Sequence, residues 1–318
     1  MTKADSRKAF VALALVSFFW GTTYLATRIG VQEAHGLFLS SVRQCIAGSS
    51  LIAFMWIRGA SFPRGKALVQ TIIIGLMLLG AGNALMTWAL QYVESGFASV
   101  VSASGPIFIA IFSHFMIQPL PWSPKLIGGM ALGMLGILGV FSNYLDSFDQ
   151  SPNFALGLLI MFVATLFWAL GSVFTAKWKP STSLLMGAGL QMFSGGLFTA
   201  IICTFFDWDQ LVFGQLSMQF WGSILYLVVF GSFVAYSAYI YVMEHLPPAQ
   251  AALSAYINPI VAVIAGAFVL GERLTWLTWG GMLLTIVGVY LVNQCFKTAK
   301  QKMLEADDEV LQLDKEVV

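Results

Sequence analysis

Charge is what this chain has least of. Only 10% of its 318 residues are Asp, Glu, Lys or Arg, against about 25% in an ordinary soluble domain, and that shortage excludes a solvated globular fold. The carboxylates fall at Asp5, Glu33, Glu94, Asp146, Asp149, Asp207, Asp209, Glu244 and Glu272, with six more between Glu305 and Glu316. None sits in the middle of an apolar run. A buried carboxylate proton relay, the usual mark of a proton-coupled pump, is therefore missing. Three cysteines, Cys45, Cys203 and Cys295, lie in or at the end of apolar runs without paired spacing, which points to neither a disulfide frame nor a metal site. His35, His114 and His245 are in different regions. HExxH, GxSxG and a phosphate-cradling glycine motif are all absent. No catalytic residue, cofactor or metal is expected.

What the chain has in abundance is apolar length. Hydrophobic residues make up 58% of it, and a bilayer core needs about 20 of them per crossing. Ten spans can be marked, at 9–29, 38–57, 67–90, 95–117, 123–141, 154–176, 183–205, 219–243, 248–270 and 275–296. With the N-terminus inside, thirteen basic residues fall on the cytoplasmic side and two, Arg28 and Arg273, on the outer side, a clear positive-inside pattern. The net charge is +1, and the basic residues form no stripe interleaved with aromatics. A nucleic-acid partner is not expected.

The chain also repeats itself. Pro106 and Pro259 occupy the same point in two apolar stretches 153 residues apart, Trp88 to Phe108 and Tyr241 to Val261. At an offset of 148, Phe19-Trp20 meets Phe167-Trp168, Thr27 meets Thr175, Arg43 meets Gln191 and Gly48 meets Gly196. At 152, Gly128 to Met130 meets Gly280 to Met282. With five spans in each half, an odd number, the second copy enters the membrane from the opposite side. Such inverted repeats place a substrate site near the bilayer midplane, between the halves.

Proline lacks an N–H and clashes with the carbonyl four residues back, so Pro106 is expected to free the carbonyl of Ser102, and Pro259 that of Ala255. Broken helices are tolerated in lipid only where protein or a watery cavity satisfies the backbone. Spans 4 and 9, with Ser102, Pro106, Tyr256, Asn258 and Pro259, are expected at the central cavity. Spans 1 and 6 carry polar-aromatic stripes at helical spacing, Trp20, Thr23 and Thr27 on one, Trp168, Ser172 and Thr175 on the other. Such a face either lines a cavity or bonds to a neighbouring helix. Asn83 and Trp88 of span 3 correspond to Tyr236 and Tyr241 of span 8, with Tyr239 close by; rings with a polar tip can stack on a planar solute and hydrogen-bond it. Trp122, Trp208, Trp221, Trp276 and Trp279 fall near span ends, where tryptophan anchors the interface.

Arg43 lies about six residues into span 2, ~9 Å along the helix. It either snorkels outward or faces the cavity to recognise an anionic group; its repeat partner Gln191 is also a candidate at the site. His114 reads as a packed or interfacial residue. Gly129 and Gly133 of span 5, and Gly281 and Gly288 of span 10, offer close-packing faces for the scaffold or for a homodimer contact.

The early Phe19-Trp20-Gly21, the Arg43 to Gly48 segment, and the run from Asn258-Pro259 through Gly271-Glu272-Arg273-Leu274 to Gly280–Gly288 resemble the EamA-type, ten-helix branch of the drug/metabolite transporter superfamily, over residues 9–296. That resemblance implies a central cavity formed by spans 1, 3, 4, 6, 8 and 9, and export of amino acids or other small metabolites. Gln118-Pro119 replaces Gly271-Glu272 in the first half, a departure from the pattern.

The expectation is an all-α integral membrane protein of ten transmembrane helices in two inverted five-helix repeats, with both termini cytoplasmic. Residues 1–146 form the first repeat, 147–296 the second and 297–318 a charged cytoplasmic tail. Its partners are the bilayer and a small uncharged or zwitterionic solute, which it moves, as an inner-membrane exporter, by alternating access. The rival is a non-transporting membrane protein, an intramembrane enzyme or a lipid-handling scaffold.

Overall fold

Backbone in lipid has no water to bond, so each crossing must satisfy its own amides, and the helix does so within one segment. In a computed structural model, which describes residues 3–117, 123–142, 153–205, 216–245, 254–271, 275–288, 290–292 and 294–295, the apolar runs are helical and no strand occurs among the described residues. Among the described residues seven helices are long and apolar enough to cross a membrane, and three shorter apolar helices accompany them. In chain order they are α1 Lys3–Gly30, α2 Gly36–Ile57, α3 Lys66–Ala89, α4 Ser95–Met116, α5 Pro124–Ser142, α6 Asn153–Trp178, α7 Leu184–Cys203, α8 Met218–Tyr239, running on to His245, α9 Ser254–Leu270 and α10 Trp276–Val292. The tail 297–318, Trp122, Trp208, Gln118-Pro119 and Glu272-Arg273-Leu274 lie outside the described residues.

Packing exchanges partners between the two ends of the chain. Helix α1 lies against α8 and α9, while α6 lies against α3 and α4. Helix α2 pairs with α7, and α4 with α9. The α2–α7 pair runs antiparallel: Cys45 meets Gly196, Gly48 meets Phe193, and Ile52 meets Gly189. A Cβ at Gly196 would fall 2.8 Å from the amide nitrogen of Cys45, so only glycine permits this approach. Helices α5 and α10 meet in the same reversed manner, Gly129 with Gly288 and Val292, and Gly136 with Gly281 and Thr285. The glycine faces expected to serve the scaffold or a dimer contact are thus turned on each other within one chain.

Two features depart from the expectation of paired broken helices. In α4 the α-helix stops at Ser102 and restarts at Gly105, and the Ser104 hydroxyl donates to the carbonyl of Val101 at 2.6 Å. Pro259, by contrast, is buried inside an unbroken helix. An interior proline removes one amide bond and can bend a helix without ending it. The break is therefore present in one half and absent from the other.

The second departure is a pair of π-helical stretches, Leu76–Asn83 within α3 and Leu227–Val234 within α8. Each is eight residues long, and they begin 151 residues apart. A π segment bonds i to i+5, accommodates an extra residue in its turn, and is found disproportionately at functional sites. Both include glycine, Gly80 and Gly82 in the first and Gly231 in the second.

The close α2–α7 approach sets a test. Gly196→Val is expected to cost about 1–3 kcal/mol through overpacking, read as a lower melting temperature in detergent. Gly222→Val, where an added Cβ meets nothing within 4 Å, is expected to change stability by less than about 0.5 kcal/mol. Equal effects would contradict the packing described.

Candidate functional site

Three helices converge on one glycine. On α1, Trp20, Thr23 and Thr27 share a face because they are spaced three, then four, residues apart. The Trp20 indole Nε1 donates to the carbonyl of Gly231 at 3.2 Å, and its ring lies 5.1 Å from that of Tyr239, tilted by 38°. Tyr239 is in turn 6.2 Å from Tyr236. The Thr23 hydroxyl donates to the carbonyl of Trp20 at 2.7 Å. A Cβ at Gly231 would sit 2.8 Å from Cγ2 of Thr23 and 3.1 Å from Nη2 of Arg43. The π stretch of α8 therefore brings bare backbone against α1 and α2.

Arg43 is turned into the bundle and is 8% exposed; the snorkelling orientation is not adopted. Its Nε has no hydrogen-bond partner among the described residues, and the same holds for the Thr27, Ser40 and Ser232 hydroxyls and for Oε1 of Gln44. The other end of the Gln44 amide donates from Nε2 to Oδ1 of Asn83 at 2.9 Å, and the Thr87 hydroxyl donates to the carbonyl of Asn83 at 2.9 Å. Adjacent residues of α2 thus address the two π stretches, Gln44 the one in α3 and Arg43 the one in α8.

Other residues expected at the site fall around it. Ser102 hydrogen-bonds the hydroxyl of Tyr24, which ties α4 to α1. The carbonyl of Asn258 and the side chain of Val261 pack on Gly21, so α9 passes beside Trp20. Trp88 is held at the start of α2 by His35, with ring centroids 5.3 Å apart, and donates to the Tyr92 hydroxyl at 3.3 Å; it does not join the Trp20 group. Gln191 has its backbone against Gly75 and takes no part in the cluster. On α6, Trp168 is 39% exposed, and the hydroxyls of Ser172 and Thr175 each donate at 2.8 Å to carbonyls of their own helix, Trp168 and Gly171. The side chains of Pro106 and Tyr256 lie outside the described residues.

Sequence spacing alone does not reveal Gly231, Ser232, Ser40 or Tyr24. The available signal was modest: Ser40 precedes Arg43 by one turn, and Gly231-Ser232 interrupts an apolar run. An apolar groove of about 360 Å³ between α4 and α5, lined by Ile107, Phe108, Ile111, Ile127, Met130, Ala131 and Met134, is remote from these polar groups and offers no hydrogen bond. Among the described residues no group of His, Cys, Asp and Glu could hold a metal ion.

Comparison with known proteins agrees with this architecture. The model of the EamA-like transporter family matches residues 7–142 and 155–294. The chain belongs to the EamA-like transporter family. It is similar to the inner membrane transporter YedA of Escherichia coli K12, 32% identical over 89% of this chain and 90% of that one. It is also similar to the transporter YoaV of Bacillus subtilis, 24% identical over 92% and 99%, and to a chloroplastic WAT1-related protein of Arabidopsis thaliana, 27% identical over 87% and 67%. A crystal structure of a protein 18% identical in sequence has the same fold, with a TM-score of 0.64 over 95% of this chain and 99% of that one. This EamA-like chain is a multi-pass inner-membrane transporter.

In this family member one contact joins the two family-matched stretches at the ends of helices. Glu33, in the turn after α1, accepts from the backbone N–H of Ser217 at 2.9 Å and from its hydroxyl at 2.6 Å. Ser217 caps α8, its hydroxyl accepting from the amides of Gln219 and Phe220. These donors stabilise the charged form, so the carboxyl of Glu33 titrates below its ordinary value. A lowered pKa means the contact is complete above the ordinary carboxylate value and is lost as pH falls through the lowered one.

Two outcomes are expected. Protection of the Ser217 amide from hydrogen exchange should hold at neutral pH and be lost in acid as pH falls through the lowered carboxyl value, whereas Glu33→Gln should show no such transition; identical profiles would remove the carboxylate from the account. For Trp20, replacement by Phe should cost about 1 kcal/mol for the lost bond to Gly231 and replacement by Ala about 3 kcal/mol. Trp168→Ala should cost less than Trp20→Ala in the same thermal unfolding assay.

Proposed function

We propose that the chain exports a small metabolite such as an amino acid by alternating access, with two inverted five-helix repeats, 1–146 and 147–296, rocking about a shared central site, and with the tail 297–318 in the cytoplasm. The observation that carries this reading is the exchange of partners, α1 on α8 and α9 and α6 on α3 and α4, together with antiparallel meetings of α2 with α7 and of α5 with α10. A parallel duplication would bring the corresponding helices together in the same sense. The family match in two stretches and the paired π segments support the same reading. In such carriers the site lies where the repeats meet and is offered to each side in turn. The Gly231 meeting point of α1, α2 and α8 belongs to that boundary, since α1 and α2 come from one repeat and α8 from the other.

Orientation is inferred from the basic residues, whose excess on one side supports cytoplasmic termini under the positive-inside rule. Gln32 and Ser61 are exposed at opposite ends of α2. In a chain with its native cysteines replaced, Gln32→Cys should react with an impermeant maleimide on intact cells, and Ser61→Cys only after permeabilisation. The transport reading is tested in proteoliposomes loaded with a panel of amino acids and small metabolites. Saturable efflux accelerated by unlabelled solute on the far side is expected; a panel in which nothing crosses faster than in empty liposomes defeats the reading.

A further inference from the structure

We propose that Arg43, with the hydroxyls of Thr27, Ser40 and Ser232, forms a buried carboxylate-binding site, and that the solute carried is one with a free carboxylate beside a planar or apolar body. The last part rests on the carrier reading; the site itself does not.

The placement follows from the packing of α1, α2 and α8. At one level Gly30 of α1 meets Leu39 of α2 and Ser223 of α8. About two turns deeper, Thr23, Arg43 and Gly231 of the same three helices meet. Thr27 lies between these levels on α1, and Ser40 lies between them on α2. Ser232 follows Gly231 directly. The Thr27, Ser40 and Ser232 hydroxyls belong to residues no more than 2% exposed, and Arg43 is 8% exposed. All four side chains have a polar atom without a hydrogen-bond partner.

A buried guanidinium is costly unless it is paired and hydrogen-bonded, and no described carboxylate pairs with this one. Arginine presents a rigid fork of N–H donors that matches a carboxylate in two parallel bonds. Hydroxyls can donate to the remaining lone pairs. A guanidinium fork with three hydroxyl donors is a donor set suited to a carboxylate. Trp20, bonded to the Gly231 carbonyl, and Tyr239, against the Trp20 ring, supply aromatic faces for an attached ring or alkyl body.

Isothermal titration of the full-length protein in detergent tests the site with three probes: 3-phenylpropionate, phenylalanine and the neutral 3-phenylpropionamide. Both carboxylates should bind at least about tenfold more tightly than the amide, since a charge-assisted fork is lost. Stronger binding of phenylalanine than of 3-phenylpropionate would identify the carboxylate as that of an amino acid; the reverse order would identify a simple organic acid. Arg43→Gln should erase the preference without lowering the melting temperature of the ligand-free protein, because it removes an unpaired buried charge. Arg43→Lys should retain part of the preference, and Ser232→Ala should weaken carboxylate binding by roughly three- to tenfold. Equal binding of all three probes, no binding of any up to about 10 mM, or a ligand-free Arg43→Gln protein that melts lower than the parent overturns the proposal. Carboxylate binding without flux in proteoliposomes defeats the carrier reading and keeps the site. Flux of neutral solutes without carboxylate preference keeps the carrier and defeats the site.

Discussion

Everything in this bundle follows from the demand that a backbone in hydrocarbon bond to itself. Helices meet that demand one segment at a time, but it leaves no hydrophobic force to bring them together, because lipid tails are as apolar as leucine. Association then depends on close contact. The chain answers with glycine where helices must touch, Gly48, Gly189 and Gly196 between α2 and α7, and Gly129, Gly136, Gly281 and Gly288 between α5 and α10. Beside these antiparallel seams, α1, α2 and α8 meet in a region that carries polar side chains.

That region differs between the halves of the chain. Trp20 bonds across to Gly231, while its counterpart Trp168 is 39% exposed and the nearby hydroxyls bond to their own helix. Arg43 is buried and its Nε has no partner among the described residues, and its counterpart Gln191 turns its backbone to Gly75. The two family-matched stretches share close glycine packing but differ in the chemistry at these positions.

Much of this was legible in the sequence because it rests on local rules. Helix positions follow from apolar length, and the shared face of Trp20, Thr23 and Thr27 follows from helical spacing. Arg43 stood out as a charge inside an apolar run. What escaped depends on three-dimensional context. A π turn has no spacing of its own, since its extra residue is accommodated only when neighbouring helices hold it. Pro259 signals a break by residue type, yet it lies inside a helix that runs through it unbroken. Ser40 and Ser232 are ordinary serines until packing from three helices removes water from around them.

The π stretch of α8 has one further geometrical effect. A helix advances about 100° per residue, so the residue absorbed between Leu227 and Val234 rotates all that follows by that angle relative to a plain α-helix. Tyr236 and Tyr239 lie just beyond it. Their azimuth, and hence which of their neighbours the phenol rings meet, is set by a coil of backbone several residues upstream. Annealing that coil would swing both rings away from Trp20 while leaving the lower half of the helix in its seat.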